Sequence, residues 1–296
     1  MKIEELYIDF LNYKTYVRIV GKEYNKTPLI MLHGGPGSTH NSFELLDKLS
    51  DIDERPIIMY DQLGCGKSII EDNHPELWNK DTWVKELENL IEKLNIKKYH
   101  LLGHSWGGML EIIYMCDYER KNVKSLTLSS TLASVKLWKS ECRRLIKLMK
   151  EEDQKIIFDA IKNNKFDDEK FKNADEKYTN MFVFDTKYND DFPECLTRKR
   201  PSSAESYITA WGECEYNPTG TLKDYEYLDK LKNIHIPVLI LNGGNDESTP
   251  YQNKEIYDHL NTKKSWYIFQ NARHRTYYEE NEKYIELLIK HLNEND

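Results

Sequence analysis

Hydrophobic positions change their spacing along the chain, and these changes mark out its elements. Two stretches near the start, 4–10 and 14–20, have alternating or β-rich patterns and flank Asn12 and Tyr13, which predicts a β-hairpin. Short continuous apolar runs, typical of strands buried on both faces of a parallel sheet, follow at 28–33, 56–60, 99–103 and 123–128. The first part of the chain therefore predicts a hairpin followed by parallel strands.

Apolar residues between the later runs recur every three or four positions. In 81–94 they fall on one face of a helix, at Val84, Leu87, Leu90, Ile91 and Leu94. Strands that alternate with helices of this kind indicate a three-layer α/β domain.

The strand pattern disappears from about residue 134 to residue 222. Apolar residues there step by four, three and four positions, which is a helical spacing, at Trp138, Cys142, Leu145 and Met149. The alternation of strand and helix then returns, at 236–241, 254–260, 265–269 and 284–292. We therefore expect a core domain of residues 1–133 and 223–296 that carries a helical cap of residues 134–222.

Charged residues are numerous but mixed in sign. Among 296 residues, 42 are Lys or Arg and 50 are Asp or Glu, which gives a formal net charge of −8. A nucleic-acid-binding protein normally has a concentrated basic face, whereas this chain has only a short Arg-Lys-Arg run at 198–200, which we interpret as a surface loop. No segment approaches the apolar length needed to cross a membrane. We therefore predict neither a nucleic-acid partner nor a membrane partner.

The five cysteines lie far apart and include neither a Cys-x-x-Cys pair nor the spacing of metal ligands. We expect them to be reduced thiols, and we expect no metal and no cofactor. The first residues, 1–5, are acidic and lack the apolar run of a signal peptide. These features predict a cytoplasmic protein.

The strongest local signal is the segment 101–108, Leu-Leu-Gly-His-Ser-Trp-Gly-Gly. An apolar strand meets Gly-x-Ser-x-Gly and then a helical pattern, as in a nucleophile elbow, where glycines leave room for neighbouring chain segments to pass close to the serine. A glycine-rich structural turn is the alternative for the motif alone. With the strand before it and the helix after it, we interpret Ser105 as a catalytic nucleophile.

A second glycine-rich loop, 33–37 (His-Gly-Gly-Pro-Gly), also follows an apolar run. Acyl transfer needs backbone N–H donors, because attack on a carbonyl places negative charge on its oxygen. We predict an oxyanion hole made by the N–H groups of Gly35 and Trp106, with a tight structural loop as the alternative. His33 and His104 are expected to order these loops by hydrogen bonding rather than to act as the base.

The predicted base and its orienting acid lie in two later loops. Asp246 follows the run 236–241 and His274 follows the run 265–269, so both emerge at carboxyl ends of strands, where ligands bind in open parallel sheets. The chain order Ser105, Asp246, His274 is the one expected for this type of triad. We expect neutral His274 to take the Ser105 proton, while Asp246 holds the ring and stabilises its charged form.

The segment 61–68, Asp-Gln-Leu-Gly-Cys-Gly-Lys-Ser, ends like a phosphate-binding loop. Such a loop has a glycine five positions before Gly66, where this chain has Asp61. Cys65 has no predicted base beside it. We therefore interpret the segment neither as a phosphate loop nor as the location of a cysteine nucleophile.

Four motifs together resemble the prolyl iminopeptidases, at 33–37, 60–68, 103–108 and 246–250. The resemblance covers nearly the whole chain and includes the tricorn-associated aminopeptidases, whose cap-to-core junction is similar to 219–224 here. It implies the α/β-hydrolase fold, with a mostly parallel central sheet flanked by helices and an inserted helical cap. It also implies a metal-independent serine aminopeptidase that removes one N-terminal residue, preferably proline, from short peptides through an acyl-enzyme.

The resemblance further implies a role for acidic residues. In these enzymes, glutamates in the cap and after the catalytic aspartate hold the free α-ammonium group of the substrate. The matching positions are Glu247, directly after Asp246, and Glu215, for which Glu213 is an alternative two residues earlier. A solvated surface is the other interpretation of the cap glutamates. A carboxylate pair selects a charged N-terminus and penalises blocked peptides.

Arg273 stands before His274 where the family commonly has serine, so the triad is preserved while the proline preference does not follow from this motif. Five aromatic side chains are candidates to line an apolar pocket for the first residue of the substrate, at Trp106, Trp138, Phe182, Phe184 and Trp211. The alternative is that they belong to the hydrophobic core. An amino-acid amidase or amino-ester hydrolase would use the same site. A catalytically inactive ligand receptor would use the same fold, and the complete triad argues against it.

Overall fold

An eight-stranded sheet forms the centre of this computed structural model, which describes residues 2–71, 73–118, 122–185, 192–199, 201 and 204–296. The strands are β1 Ile3–Phe10, β2 Tyr13–Val20, β3 Leu29–Leu32, β4 Ile57–Asp61, β5 Tyr99–His104, β6 Val123–Ser129, β7 Val238–Gly243 and β8 Lys264–Phe269. Their order is β1-β2-β4-β3-β5-β6-β7-β8. β2 pairs antiparallel with β1 and β4, and the other neighbours are parallel. The predicted hairpin and parallel strands are confirmed.

Helices connect the parallel strands, and two more follow the last strand. They are α1 Asp47–Asp53, α2 Lys80–Lys93, α3 Trp106–Asp117, α4 Val135–Ile146, α5 Glu151–Asn163, α6 Glu169–Phe182, α7 Glu194–Thr197, α8 Ala204–Ala210, α9 Pro250–His259, α10 Thr276–Glu279 and α11 Asn281–Asn293. The helix predicted at 81–94 begins one residue earlier, because the side chain of Asn79 caps it by accepting the N–H groups of Asp81 and Thr82.

β3 shows why the parallel strands have continuous apolar sequences. All four of its residues are fully buried. Ile30 and Leu32 face the hydrophobic cluster that includes α2 and α3, whereas Leu29 and Met31 face a second cluster with α1 and α11. Helices therefore cover both faces of the sheet, and the predicted three-layer α/β architecture is confirmed.

The segment between β6 and β7 is helical, as its spacing predicts, and contains α4 to α8. The two ends of this segment lie side by side and are joined by hydrogen bonds. The N–H of Val135 donates to Tyr225 O at 2.9 Å, and the N–H of Tyr227 donates to Ala133 O at 2.7 Å. These bonds lie close to the expected boundaries at 134 and 222, and the division into core and cap domains stays a prediction.

Several sequence expectations concern the surface and the thiols. Arg198 forms ion pairs with Glu44 and Glu194, whereas Arg200, the end of the basic run, lies outside the described residues. None of the five cysteines is in a disulfide. Among the helices of the described residues, none combines the length and the apolar character needed to span a membrane.

Candidate active site

Ser105 occupies the sharp turn between β5 and α3. Its backbone angles, φ 56° and ψ −121°, lie in a region that strains a non-glycine residue by about 1–3 kcal/mol. The flanking glycines allow the turn to pack. A Cβ on Gly107 would lie 1.9 Å from Leu32 O, and one on Gly103 would lie 2.4 Å from the carbonyl carbon of Gly107. The observed turn has the geometry expected of a nucleophile elbow.

The glycine loop after β3 lies directly beside this elbow. A Cβ on Gly34 would be 3.1 Å from Ser105 Cβ, and Gly35 has a φ of +116°, which favours glycine. Trp106 is the first residue of α3, so its N–H has no carbonyl one turn earlier in the helix to bond. The two predicted oxyanion donors therefore belong to adjacent segments at the same edge of the sheet.

A hydrogen-bond network fixes the glycine loop to the elbow. His33 Nδ1 lies 2.9 Å from Gly34 O, and its Nε2 accepts the N–H of Gln62 at 3.0 Å. The side chain of Gln62 donates to His33 O at 3.0 Å and accepts the indole N–H of Trp106 at 2.8 Å. His33 thus orders the loop, as the sequence predicts.

His274 and Asp246 form a buried hydrogen-bonded pair. His274 Nδ1 lies 2.7 Å from Asp246 Oδ1, and the N–H groups of Ser248 and Gly243 donate to the same carboxyl at 2.8 and 3.2 Å. A carboxylate accepts hydrogen bonds, so Nδ1 carries the proton and Nε2 of the neutral ring has a free lone pair. This is the arrangement required of a general base and its orienting acid.

The His274 ring packs against His104, the residue before Ser105, with centroids 4.7 Å apart. Burial, and then the nearby His274, lower the pKa of His104 well below its usual value, so His104 stays neutral. Its Nδ1 has no hydrogen-bond partner among the described residues, but the side chain forms a hydrogen bond with the backbone of Ser129 and its ring packs against Tyr277. No hydrogen bond joins Ser105 to His274 in the described part of the chain, and such bonds often form only with substrate bound.

Glu247 lies beside the base. Its Oε1 is 3.8 Å from His274 Nε2, and its Oε2 has no hydrogen-bond partner among the described residues, although the residue is only 4% exposed. Its backbone N–H donates to Phe182 O in α6 at 3.2 Å. An unpaired buried carboxyl oxygen is unfavourable, and this one is available to a ligand.

Glu215 approaches the same place from the cap segment. Its carboxyl accepts the hydroxyl of Tyr207 at 2.5 Å, and its backbone oxygen accepts the indole N–H of Trp138 at 3.0 Å. Burial raises the pKa of Glu215, and burial and then the charge of Glu215 raise the pKa of Glu247 well above its ordinary value. Like charges that disfavour each other in this way are stabilised by a bound cation.

Glu213, the alternative to Glu215, is exposed. It lines a surface depression together with residues 164–168. The two cap glutamates therefore occupy different environments, and the electrostatic coupling to Glu247 involves Glu215.

The aromatic residues suggested for an apolar pocket have different contacts. Trp138 and Trp211 both donate their indole N–H to Glu215 O, and their rings pack edge to face at 6.0 Å. Phe184 lies under the guanidinium of Arg275, 3.8 Å from the ring centroid. Trp106 packs against Trp83. All of these aromatic residues except Phe184 are buried in one hydrophobic cluster, at Trp106, Trp138, Phe182 and Trp211, which agrees with the alternative that they belong to the core.

Comparisons with known proteins agree with this geometry. A family profile described as "alpha/beta hydrolase fold" matches residues 27–281. The chain is 50% identical over 296 residues to a proline iminopeptidase of Lactobacillus crispatus (strain ST1), and the match covers 100% of each chain. The chain belongs to the proline iminopeptidase family of α/β-hydrolases.

Other members of the proline iminopeptidase family match over the same length. The protein of that name from Clostridioides difficile (strain 630) is 47% identical over 297 residues, with 100% of each chain covered. The crystal structure of proline iminopeptidase from Mycobacterium smegmatis has a TM-score of 0.86 and 26% identity, and the match covers 99% of this chain and 98% of that one. The family resemblance and the fold class predicted from the sequence are confirmed.

Three residues of this family member's site were not found from its sequence. Gln62 lies in the segment that ends like a phosphate-binding loop, and the signal for it is that this segment is also one of the four motifs of the family resemblance. Tyr207 and Asp175 lie in the cap, where the motifs match only patchily. Tyr207 holds Glu215, and Asp175 accepts the hydroxyl of Tyr216.

Proposed function

We propose that this chain is a serine aminopeptidase that releases the N-terminal residue, preferably proline, from short peptides. The observation that carries the proposal is the position of Glu247, 3.8 Å from His274 and with one oxygen unpaired. A carboxylate there binds a cation next to the bond under attack, and the α-ammonium of a peptide's first residue is such a cation. The name of the relatives that match over the whole chain supports the preference for proline.

Ser105 is the proposed nucleophile. Its Oγ attacks the carbonyl carbon of the first residue while His274 Nε2 takes its proton, and Asp246 stabilises the resulting imidazolium. His274 then gives that proton to the leaving nitrogen, and the peptide bond breaks to leave an acyl-enzyme. Water attacks this ester with His274 again as base, which releases the amino acid and restores Ser105.

Gly35 and Trp106 are the proposed oxyanion donors. The attack moves negative charge onto the carbonyl oxygen, and two fixed N–H groups beside Ser105 stabilise it by about 3 kcal/mol each. Gln62 and His33 hold these donors in place through their four hydrogen bonds. This reaction uses only groups of the chain and water, so we propose that the chain needs neither a metal nor a cofactor.

Glu215 and Glu247 are the proposed amine ligands, and the exposed position of Glu213 favours Glu215 as the cap partner. Their two carboxyls accept the two N–H groups of an N-terminal proline. A blocked N-terminus has no positive charge and leaves the carboxyls buried and uncompensated. We therefore propose short peptides with a free N-terminus as the substrates. A cytoplasmic location remains a proposal from the sequence.

Turnover of proline, alanine and leucine arylamides tests the proposed activity. We expect the largest kcat/KM with the proline derivative and slower cleavage of the other two. Higher activity on alanine or leucine would reject the preference for proline. An amino-acid amidase is the less favoured function, because the full-length relatives are named iminopeptidases.

Labelling with a fluorophosphonate tests the nucleophile separately. We expect the wild-type chain to be labelled and Ser105→Ala to remain unlabelled. Absence of label in the wild type would favour a receptor that retains only the fold.

A further inference from the structure

A third acid, Asp175, lies close to the proposed amine site and has no role in the mechanism above. It precedes Tyr178 by three positions and Phe182 by seven in α6, so the three residues share one face of that helix. Phe182 O accepts the N–H of Glu247 at 3.2 Å. This face of α6 therefore contacts the loop that carries Glu247.

Asp175 also contacts the segment that carries Glu215. The next residue, Tyr216, donates its hydroxyl to Asp175 Oδ1. Tyr178 packs edge to face against the ring of Tyr216, with centroids 4.8 Å apart. Both proposed amine ligands are thus connected to the same face of α6.

The three carboxyls have no lysine or arginine partner in the part of the chain that the structure describes. In the same part of the chain Asp153 pairs with Lys177, whereas within the described residues no lysine or arginine forms an ion pair with Asp175, Glu215 or Glu247. Burial raises the pKa of all three. The ionised forms of these carboxyls are therefore disfavoured in the empty cleft, and a bound cation would stabilise them.

One oxygen in this cluster is open to a ligand. Within the ranges that the structure describes, Glu247 Oε2 has no hydrogen-bond partner, and the residue is 4% exposed. We propose, on the basis of the proposed function, that Asp175 is a third acid of the amine site whose charge strengthens binding of the α-ammonium. An N-terminal proline has two N–H groups, which Glu215 and Glu247 accept. Asp175 therefore acts through its charge as a specificity-determining residue, away from the reacting bond.

Binding of L-prolinol, an amine without a bond to cleave, tests this role in the wild-type chain and in Asp175→Asn. We expect calorimetry to give a Kd about fivefold higher for the variant, since one nearby charge is removed while the two direct ligands remain. KM for the proline arylamide should rise by a similar factor, with kcat unchanged. A Kd equal to that of the wild type would overturn the proposal.

Three further variants separate charge from structure. Glu176→Gln changes the exposed neighbour on α6 and should leave the Kd unchanged, and Asp175→Glu keeps the charge and should retain most of the affinity. Tyr216→Phe removes the hydrogen bond to Asp175 but not its charge, so its Kd should stay near that of the wild type. If Tyr216→Phe shows the loss expected for Asp175→Asn, Asp175 only positions the tyrosine and the proposal is overturned.

The two readouts also separate this inference from the proposed function. Lack of arylamide turnover in the wild type would reject the function, whereas unchanged prolinol binding in Asp175→Asn rejects only the role of Asp175. Should Asp175→Asn fail to fold, Asp175→Ser, which also removes the charge, replaces it in the same titration. A Kd about fivefold above that of the wild type supports the role of the charge, and an unchanged Kd contradicts it.

Discussion

At the scale of single residues, hydrogen bonds fix the orientation of Asp246 and His274. Asp246 accepts three bonds, from His274, Ser248 and Gly243, so its carboxylate cannot rotate freely. The bond from His274 Nδ1 places the lone pair of the neutral ring on Nε2, the nitrogen that also faces Glu247. The proposed base, His274, and the proposed amine ligand, Glu247, are therefore neighbours.

Asp246→Asn tests this orientation. The amide can donate a hydrogen bond to Nδ1, which moves the ring proton to Nε2 and removes the base. We expect kcat for the proline arylamide to fall by about 10⁴, with little change in KM. Asp258→Asn, an exposed acid paired with Lys254, is the control and should have wild-type activity. A loss smaller than about tenfold would exclude an essential orienting role.

Residues that can be predicted from the sequence have a pattern within a short segment of the chain, whereas the others depend on contacts with distant residues. Ser105, Asp246 and His274 each follow an apolar strand, so a short window and the rule on strand ends suffice to place them. Gln62 and Asp175 act through partners far along the chain, Trp106 and Tyr216. No local pattern encodes such pairs, and only the folded structure identifies them.

At the scale of elements, α2 is tied to the sheet edge by one buried acid. Glu86 accepts the hydroxyl of Thr15 in β2 at 2.5 Å and the N–H of Leu63, just after β4, at 3.0 Å. Burial raises the pKa of Glu86 to about 7, although these two hydrogen bonds act in the opposite direction. The periodicity of 81–94 predicts the helix, but it does not distinguish this buried acid from the solvated ones beside it.

Glu86 makes stability depend on pH. Its folded-state pKa, about 7, exceeds the ordinary value of 4.5, so the folded chain binds more protons between these values and stability falls as pH rises through them. Glu86→Gln has no such ionisation. The raised pKa makes the wild type lose roughly 3 kcal/mol of its free energy of unfolding between pH 4.5 and pH 8, and Glu86→Gln does not share this loss. We therefore expect the Tm of the variant, relative to that of the wild type, to be about 5 °C higher at pH 8 than at pH 4.5.

Differential scanning calorimetry at the two pH values checks this expectation. Glu92→Gln, an exposed acid on the same helix, is the matched control and should show a constant Tm difference. A difference between Glu86→Gln and the wild type that does not change with pH would contradict the raised pKa of Glu86.

At the scale of the whole molecule, the proposed amine site joins two distant parts of the chain. Glu247 follows β7 of the sheet, and Glu215 belongs to the helical segment between β6 and β7. Further bonds connect these parts, from Thr249 to Glu141 in α4 at 2.7 Å and from Arg273 to Asn180 O in α6 at 2.7 Å. The motifs predict both glutamates through the family resemblance, whereas their meeting point depends on how the helical segment packs over the sheet.

The central claim is that a free N-terminal ammonium, held by Glu247 and Glu215, directs Ser105 to the bond after the first residue. The most direct measurement is kcat/KM for proline arylamide and its N-acetyl form, in the wild type, in Glu247→Gln and in the exposed control Glu213→Gln. We predict a preference of about 100-fold or more for the free amine in the wild type and the control. In Glu247→Gln the free substrate should lose most of that advantage. Equal rates on the free and acetylated substrates in the wild type would contradict the account.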